Sequence, residues 1–225
     1  MRMPYVNVNF EGTKVACVGD SLTYGTTLLN RKVESYPARL AKSLGKNFDV
    51  VNFGFAGYAL NRHSAKCYLN LPVFGMLEQY APDYVIMLLG TNDARQKNFT
   101  TEAEFANAYR TILNNLSNLS SKPQLIAMTC PMAYVDTSKY EFDFSHENLA
   151  KIVQLQRDIL SEYRIPYIDL YNITQGKTTL YSEDMLHFNS KGAKFLAFKT
   201  FTSIMELENR EKKEKKFLKN FRQVT

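Results

Sequence analysis

The run Val15-Ala16-Cys17-Val18-Gly19 is apolar throughout and stops abruptly at Asp20-Ser21, after which Leu22-Thr23-Tyr24-Gly25 brings in small, turn-forming residues. An unbroken run of this length, without the alternation of a half-exposed strand, fits a strand covered on both faces, as in a parallel sheet. That confines the chain to folds in which helices blanket a sheet. In open sheets of this kind ligands bind outside the carboxyl ends of the strands. Ser21 is therefore expected at the mouth of a crevice, beside the unpaired N–H groups of a helix start. The same residues also read as plain turn chemistry, with Asp20 or Ser21 capping the next helix.

The pattern recurs along the chain. Ser35 to Leu44 places Tyr36, Leu40 and Leu44 on one helical face, with Pro37 near its start and Gly45 just past its end. Asp49 to Phe53 reads as a second strand, ending in Gly54-Phe55-Ala56-Gly57, where backbone can approach a ligand closely. Asn61 to Tyr80, broken by Pro72 and Gly75, reads as loop and short helix walling a pocket. Tyr84 to Leu89 is a third strand, closed by Gly90-Thr91-Asn92-Asp93. Thr101 and Glu104 give a capping-box signature ahead of Phe105, Ala108, Ile112, Leu113 and Leu116 at helical spacing. Gln124 to Thr129 is a fourth strand, and Val135 to Ser145 a long aperiodic loop over the site. Leu149, Ile152, Val153, Ile159, Leu160 and Tyr163 mark an amphipathic helix, Ile165 to Leu170 a fifth strand, and a last helix follows Ser190. Strands alternating with helices five times predict an α/β fold with a parallel sheet wrapped on both faces.

At 225 residues, 45% hydrophobic and 22% charged, the chain suits a single buried domain, read as residues 1–205. From Glu206 to Lys216 it is almost wholly charged, and 206–225 reads as a solvated helical extension. Phe217, Leu218 and Phe221 return there at helical spacing, a cluster able to dock on a second subunit as a homodimer contact. Half of the net charge of +6 sits in the last twenty residues, which hold seven Lys/Arg against four Glu. The remainder is mildly basic with no aromatic-interleaved basic patch, so no nucleic-acid partner is expected. No stretch approaches the roughly 18 apolar residues of a membrane span, and Met1 to Glu11 lacks the apolar core of a signal peptide, which reads as a cytoplasmic protein. Cys17, Cys67 and Cys130 lack metal or disulfide spacing and read as buried thiols; the sequons at Asn98, Asn115, Asn118 and Asn172 carry little weight.

Few side chains are suited to move a proton near neutral pH. His63, beside Arg62 and Lys66, and His146, at a helix start, read as surface residues. His187 differs, because Asp184 stands three residues before it in a loop after the last strand, placed to orient the imidazole toward the crevice that Ser21 faces. A serine hydroxyl needs such a base, and the base needs such a partner. Acyl transfer also needs hydrogen-bond donors for an oxyanion, and strand ends offer the Ser21 N–H, the Gly57 N–H and the Asn92 amide. Each also reads singly as turn chemistry, and Asp184 with His187 as helix capping. No second His or Cys stands at ligand spacing, so no metal is expected.

Taken in order, Gly19-Asp20-Ser21-Leu22, Gly57, Gly90-Thr91-Asn92-Asp93 and Asp184-Met185-Leu186-His187 resemble the blocks of the SGNH (GDSL-type) hydrolases, over roughly residues 14 to 200. The resemblance implies a three-layer α/β/α sandwich of flavodoxin-like type with a five-stranded parallel sheet, and a cofactor-free esterase. It implies Ser21 as nucleophile, His187 as general base and then acid, Asp184 as its orienter, and Ser21, Gly57 and Asn92 as oxyanion hole. Asp20 and Asp93 then brace the turns that aim their neighbours.

Ser35-Tyr36-Pro37-Ala38-Arg39-Leu40 and Leu88-Leu89-Gly90-Thr91-Asn92-Asp93-Ala94 look like the branch that includes carbohydrate O-acetylesterases, which implies an acetylated sugar or oligosaccharide as substrate. Phe55, Tyr58, Tyr134, Phe142 and Phe144 are available as stacking surfaces, or equally as core. The rival readings are a lysophospholipase or acyl-thioesterase of the same family, and a non-enzymatic module binding acidic polymers through the basic tail.

Overall fold

The computed structural model describes residues 3–138 and 143–221, the side chains of 211 and 214–221 excepted. Phe142 and the side chains of Phe217, Leu218 and Phe221 lie outside the described residues.

Five strands, β1 (Thr13–Gly19), β2 (Phe48–Gly54), β3 (Tyr84–Leu88), β4 (Gln124–Met128) and β5 (Tyr167–Ile168), pair in parallel in the order β2-β1-β3-β4-β5. Around them lie α1 (Ser21–Tyr24), α2 (Arg31–Glu34), α3 (Tyr36–Leu44), α4 (Val73–Tyr80), α5 (Glu102–Ser117), α6 (His146–Glu162), α7 (Leu170–Ile173) and α8 (Ser190–Phe221). Successive strand residues point to opposite faces. Ala16, Val18, Val85, Met87, Leu125 and Ala127 therefore pack with Leu77 of α4, Ile112 of α5 and Ile152 of α6. Their neighbours Val15, Cys17, Ile86, Leu88, Ile126 and Met128 pack with Leu40 of α3 and Leu196 and Ile204 of α8. This two-sided burial is why the strands are uniformly apolar, and each fully covered Leu or Ile contributes about 1.5–3 kcal/mol. The result is an α/β/α sandwich with the flavodoxin-like strand order.

Helix ends follow their residues. The Thr101 side chain accepts the Glu104 N–H at 3.1 Å to start α5, while the Glu104 carboxylate turns to His63 at 3.4 Å instead of closing the box. Gly45 ends α3 at φ +80°, in the left-handed region. Regular pairing at the fifth strand is shorter than the apolar run Ile165 to Leu170 predicts. Pro166 has no N–H to give, and Asp169 leaves the sheet to cap α7 through Asn172 N–H and to pair with Arg157 at 2.9 Å. The charged segment from Glu206 continues α8 without a break, and its first turn packs on the domain: Leu207 rests against the core and Glu208 accepts the Tyr84 hydroxyl at 2.9 Å. Among the described residues no helix is long and apolar enough to cross a membrane.

Because the strands are parallel, the loops leaving β1, β2 and β3 open at the same end of the sheet, and because the order reverses at β1, which lies between β2 and β3, a crevice forms there. Ser21, Gly57 and Asn92 are on those loops.

Candidate active site

Ser21 is the first residue of α1, directly beyond the buried end of β1. Asp20 caps that helix by accepting the Leu22 N–H at 2.9 Å, which fixes the turn and aims the serine side chain. The turn is crowded by its neighbour strand: a Cβ on Gly54 would lie 2.3 Å from the Tyr24 backbone nitrogen, so only glycine lets β2 pass so close. Ser21 itself is 7% exposed.

His187 reaches it from the far end of the chain. The Ser21 hydroxyl lies 2.9 Å from His187 Nε2, and His187 Nδ1 lies 2.6 Å from Asp184 Oδ2. An ionised carboxylate only accepts, so Nδ1 carries the proton and the Nε2 lone pair is left for the hydroxyl proton. Asp184 does two jobs at once. Its Oδ1 accepts the backbone N–H groups of Leu186 (3.1 Å) and His187 (2.9 Å), folding the turn that swings the imidazole round, while Oδ2 holds the ring. Burial works to raise the Asp184 carboxyl, but the hydrogen bonds from the His187 ring and backbone outweigh it and hold the group below the usual carboxylate range. The chain of hydroxyl, imidazole and carboxylate is able to take a proton from the serine and stabilise the resulting imidazolium.

Gly57 adopts φ +81°, a conformation side chains resist, and this presents its backbone at the loop following β2. Asn92 donates one amide hydrogen to the Tyr58 carbonyl at 3.0 Å, which ties the third-strand loop to the residue next to Gly57 and leaves its second hydrogen for another acceptor. Asp93 completes the tie from inside: its carboxylate accepts the N–H groups of Leu60 (2.9 Å) and Asn61 (2.8 Å). Asp20 and Asp93 are fully buried, and burial pushes each carboxyl up to about 7 against the backbone hydrogen bonds each receives. Both act as braces for the turns that carry Ser21, Gly57 and Asn92.

Beside Gly57 opens a cavity of about 340 Å³ lined by His63, Ser64, Lys66, Arg95, Lys97 and Asn98, so the segment after Asn61 does wall a pocket. Arg95 is anchored there by Asp143 at 2.6 Å, a pair of residues far apart in sequence that no local pattern connects. Lys66 and Lys97 sit in polar stretches that look like ordinary solvated surface. A larger cavity, about 700 Å³, lies at the amino ends of β4 and β5 and is lined by none of Ser21, Gly57, Asn92, Asp184 and His187. His63 and His146 are exposed, His63 beside Glu104 and His146 on the Val135 carbonyl at 2.9 Å. Phe55 and Phe144 are core residues at 5% and 3% exposure, the half-buried Tyr58 packs edge-on against Phe55, and Tyr134 packs edge-on against Tyr181 with its hydroxyl on the Thr174 carbonyl. Cys17, Cys67 and Cys130 are buried free thiols. Among the described residues no three His, Cys, Asp or Glu side chains are grouped to hold a metal ion.

Comparison with known proteins adds three relatives. An acetylxylan esterase of Xylanibacter ruminicola is 25% identical over 205 residues, covering 83% of this chain and 42% of that protein, so the chain spans less than half the length of this curated relative. An aryl esterase of M. smegmatis superposes with a TM-score of 0.68 at 18% identity, over 87% of this chain and 100% of the other. A carbohydrate acetylesterase family member from Sinorhizobium meliloti superposes with a TM-score of 0.69 at 20% identity, over 85% and 97%. These two share the fold. Residues 17–195, most of the chain and all of the loops just described, match the family model of the GDSL-like lipases and acylhydrolases, and the protein belongs to that GDSL-like lipase/acylhydrolase family.

Proposed function

We propose that the protein is a serine esterase that removes short acyl groups, chiefly O-acetyl, from a carbohydrate. The observation that carries this reading is the continuous contact from Ser21 Oγ through His187 to Asp184, at 2.9 Å and 2.6 Å. Ser21 Oγ attacks the ester carbonyl carbon while Nε2 takes its proton. The tetrahedral oxyanion is met by the N–H groups of Ser21 and Gly57 and by the free amide hydrogen of Asn92. As the ester C–O bond breaks, Nε2 returns the proton to the departing alkoxide, which leaves as an alcohol. Water then gives a proton to Nε2, attacks the acyl-serine, and releases the carboxylic acid with Ser21 restored. Asp184 keeps the ring in one tautomer throughout.

The choice of an acetylated sugar draws on the acetylxylan esterase relative and on the hydrogen-bonding side chains Ser64, Lys66, Arg95, Lys97 and Asn98 that line the cavity beside Gly57 and suit the hydroxyl groups of a sugar. Ser21→Ala and His187→Ala are expected to lower kcat on an activated acetate ester by about 10⁴-fold or more with unchanged circular dichroism. Either variant folding normally and turning over at the parental rate removes the assignment. A fluorophosphonate should label the parent and not Ser21→Ala, and acetyl esters should outpace octanoyl esters; the reverse order points to the lipid or thioester rival.

A further inference from the structure

We propose, resting on the esterase reading, that the cavity beside Gly57 is a subsite for an anionic group on the alcohol portion of the ester, so that the preferred substrates are acetylated acidic saccharides. Position comes first. A Cβ placed on Gly57 would lie 3.5 Å from the Lys66 ammonium, so this cation stands against the glycine whose N–H is assigned to the oxyanion. Lys97 and Arg95 line the same cavity.

Charge comes second. Arg95 is neutralised by Asp143 at 2.6 Å, and that carboxylate, although it also feels Lys97, is committed to the guanidinium. Glu104 lies 3.4 Å from His63 and faces the adjoining hollow, which Arg62 also lines. Among the described residues neither Lys66 nor Lys97 has a carboxylate within ion-pair distance. Among the described residues the cavity wall therefore carries Lys66, Lys97 and Arg95 against the carboxylate of Asp143, with both ammonium groups on its exposed rim, and such an excess of positive charge favours an anion.

Geometry decides which part of the substrate carries the anion. An acetyl group ends one methyl beyond the carbonyl and has nothing with which to reach the lysines. The alcohol portion extends from the carbonyl and can present a carboxylate or sulfate to them. A volume of about 340 Å³ is in the range of small-ligand cavities and accepts a sugar ring bearing such a group.

The test compares matched esters: O-acetylated galacturonate against O-acetylated galactose, and 3-acetoxybenzoate against 3-acetoxybenzamide, followed by acetate release. For the intact protein kcat/KM should favour the anionic member about tenfold at low salt, and the preference should vanish near 1 M NaCl, where screening acts over about 3 Å. Lys66→Gln and Lys97→Gln should each reduce the anionic-to-neutral ratio by up to about fivefold, together by about tenfold, and Lys66→Glu should invert it. A sulfated acetyl ester tells which anion fits better. Equal rates on both members of each pair overturn the subsite while leaving the esterase intact. Loss of both rates in parallel on Lys66→Gln also overturns it, because that result assigns the ammonium to the oxyanion. No hydrolysis of any ester removes the esterase reading and the subsite with it.

Discussion

The two halves of the candidate site are built by different means. The serine side is an outgrowth of the core: β1 is buried on both faces, Asp20 caps α1, and Gly54 admits the neighbouring strand at close range. The imidazole side has almost no regular structure. Tyr181 to Asn189 is held by its own hydrogen bonds, by a bridge between Tyr181 and Phe188, by the Tyr134 N–H on the Met185 carbonyl at 2.9 Å, and by Thr27 Oγ1 against Ser182 Oγ at 2.8 Å. Met185 accepts φ +57° to make the turn. The first group stands at the end of a buried strand, while the second is aimed by polar contacts within a loop that Tyr181, Leu186 and Phe188 pin to the core, so polar damage to that loop should register as activity more than stability.

The largest effect that would break this division is Asp184→Asn. An amide still accepts the Leu186 and His187 N–H groups but no longer fixes the ring tautomer, so kcat is expected to fall roughly 10³–10⁴-fold with a melting temperature close to the parent's. A large loss of stability instead would show that the loop belongs to the core. Gly54→Ala tests the other half. The added methyl meets α1 backbone, and urea unfolding should show a loss of about 1–3 kcal/mol, with activity lowered only as far as the Ser21 turn shifts. A variant of parental stability means that the close approach is not a constraint.

The smallest effect concerns pH. Asp20 and Asp93 have carboxyls raised by burial from the ordinary aspartate range, about 4, to about 7, so between those pH values the folded state binds more protons than the unfolded one, and their contribution to stability falls as pH rises through that interval. Asp184, held below its usual range, works in the opposite direction, and its contribution is lost only as pH falls through the carboxylate range and below. Urea titrations at pH 4.5 and 8 should therefore show a component that declines with pH on the serine side, and Asp20→Asn should flatten it. An unchanged slope in that variant places the titration elsewhere.

Much of this was legible in the chain itself. Uniform apolar runs at Val15–Val18 and Tyr84–Leu88 announced strands covered on both faces, because a residue shielded from water on either side of a sheet must be apolar at every step. The short β5 was not legible, since its end depends on Asp169 choosing Arg157 and the α7 cap over the sheet. That Lys66 and Lys97 share one cavity was not legible either, because a lysine's neighbours across a cavity leave no trace in its own segment. The aromatic residues show the same limit: Phe55 and Phe144 are core, and Tyr58 packs against Phe55 while its backbone carbonyl holds Asn92, which loop path decides and residue type does not.

Residue type and periodicity by themselves determined the layered α/β fold and the inventory of chemical groups, since both are recorded within a few neighbouring positions. Only the tertiary structure decided that His187 Nε2 comes within 2.9 Å of Ser21 Oγ across 166 positions of sequence, and that Lys66 and Lys97 line one cavity beside Gly57. The all-parallel sheet makes those decisions possible, because it brings the loops leaving its strands, including the segment after β5 that carries His187, to one end, and convergence of distant segments is a property of packing that no local stretch encodes.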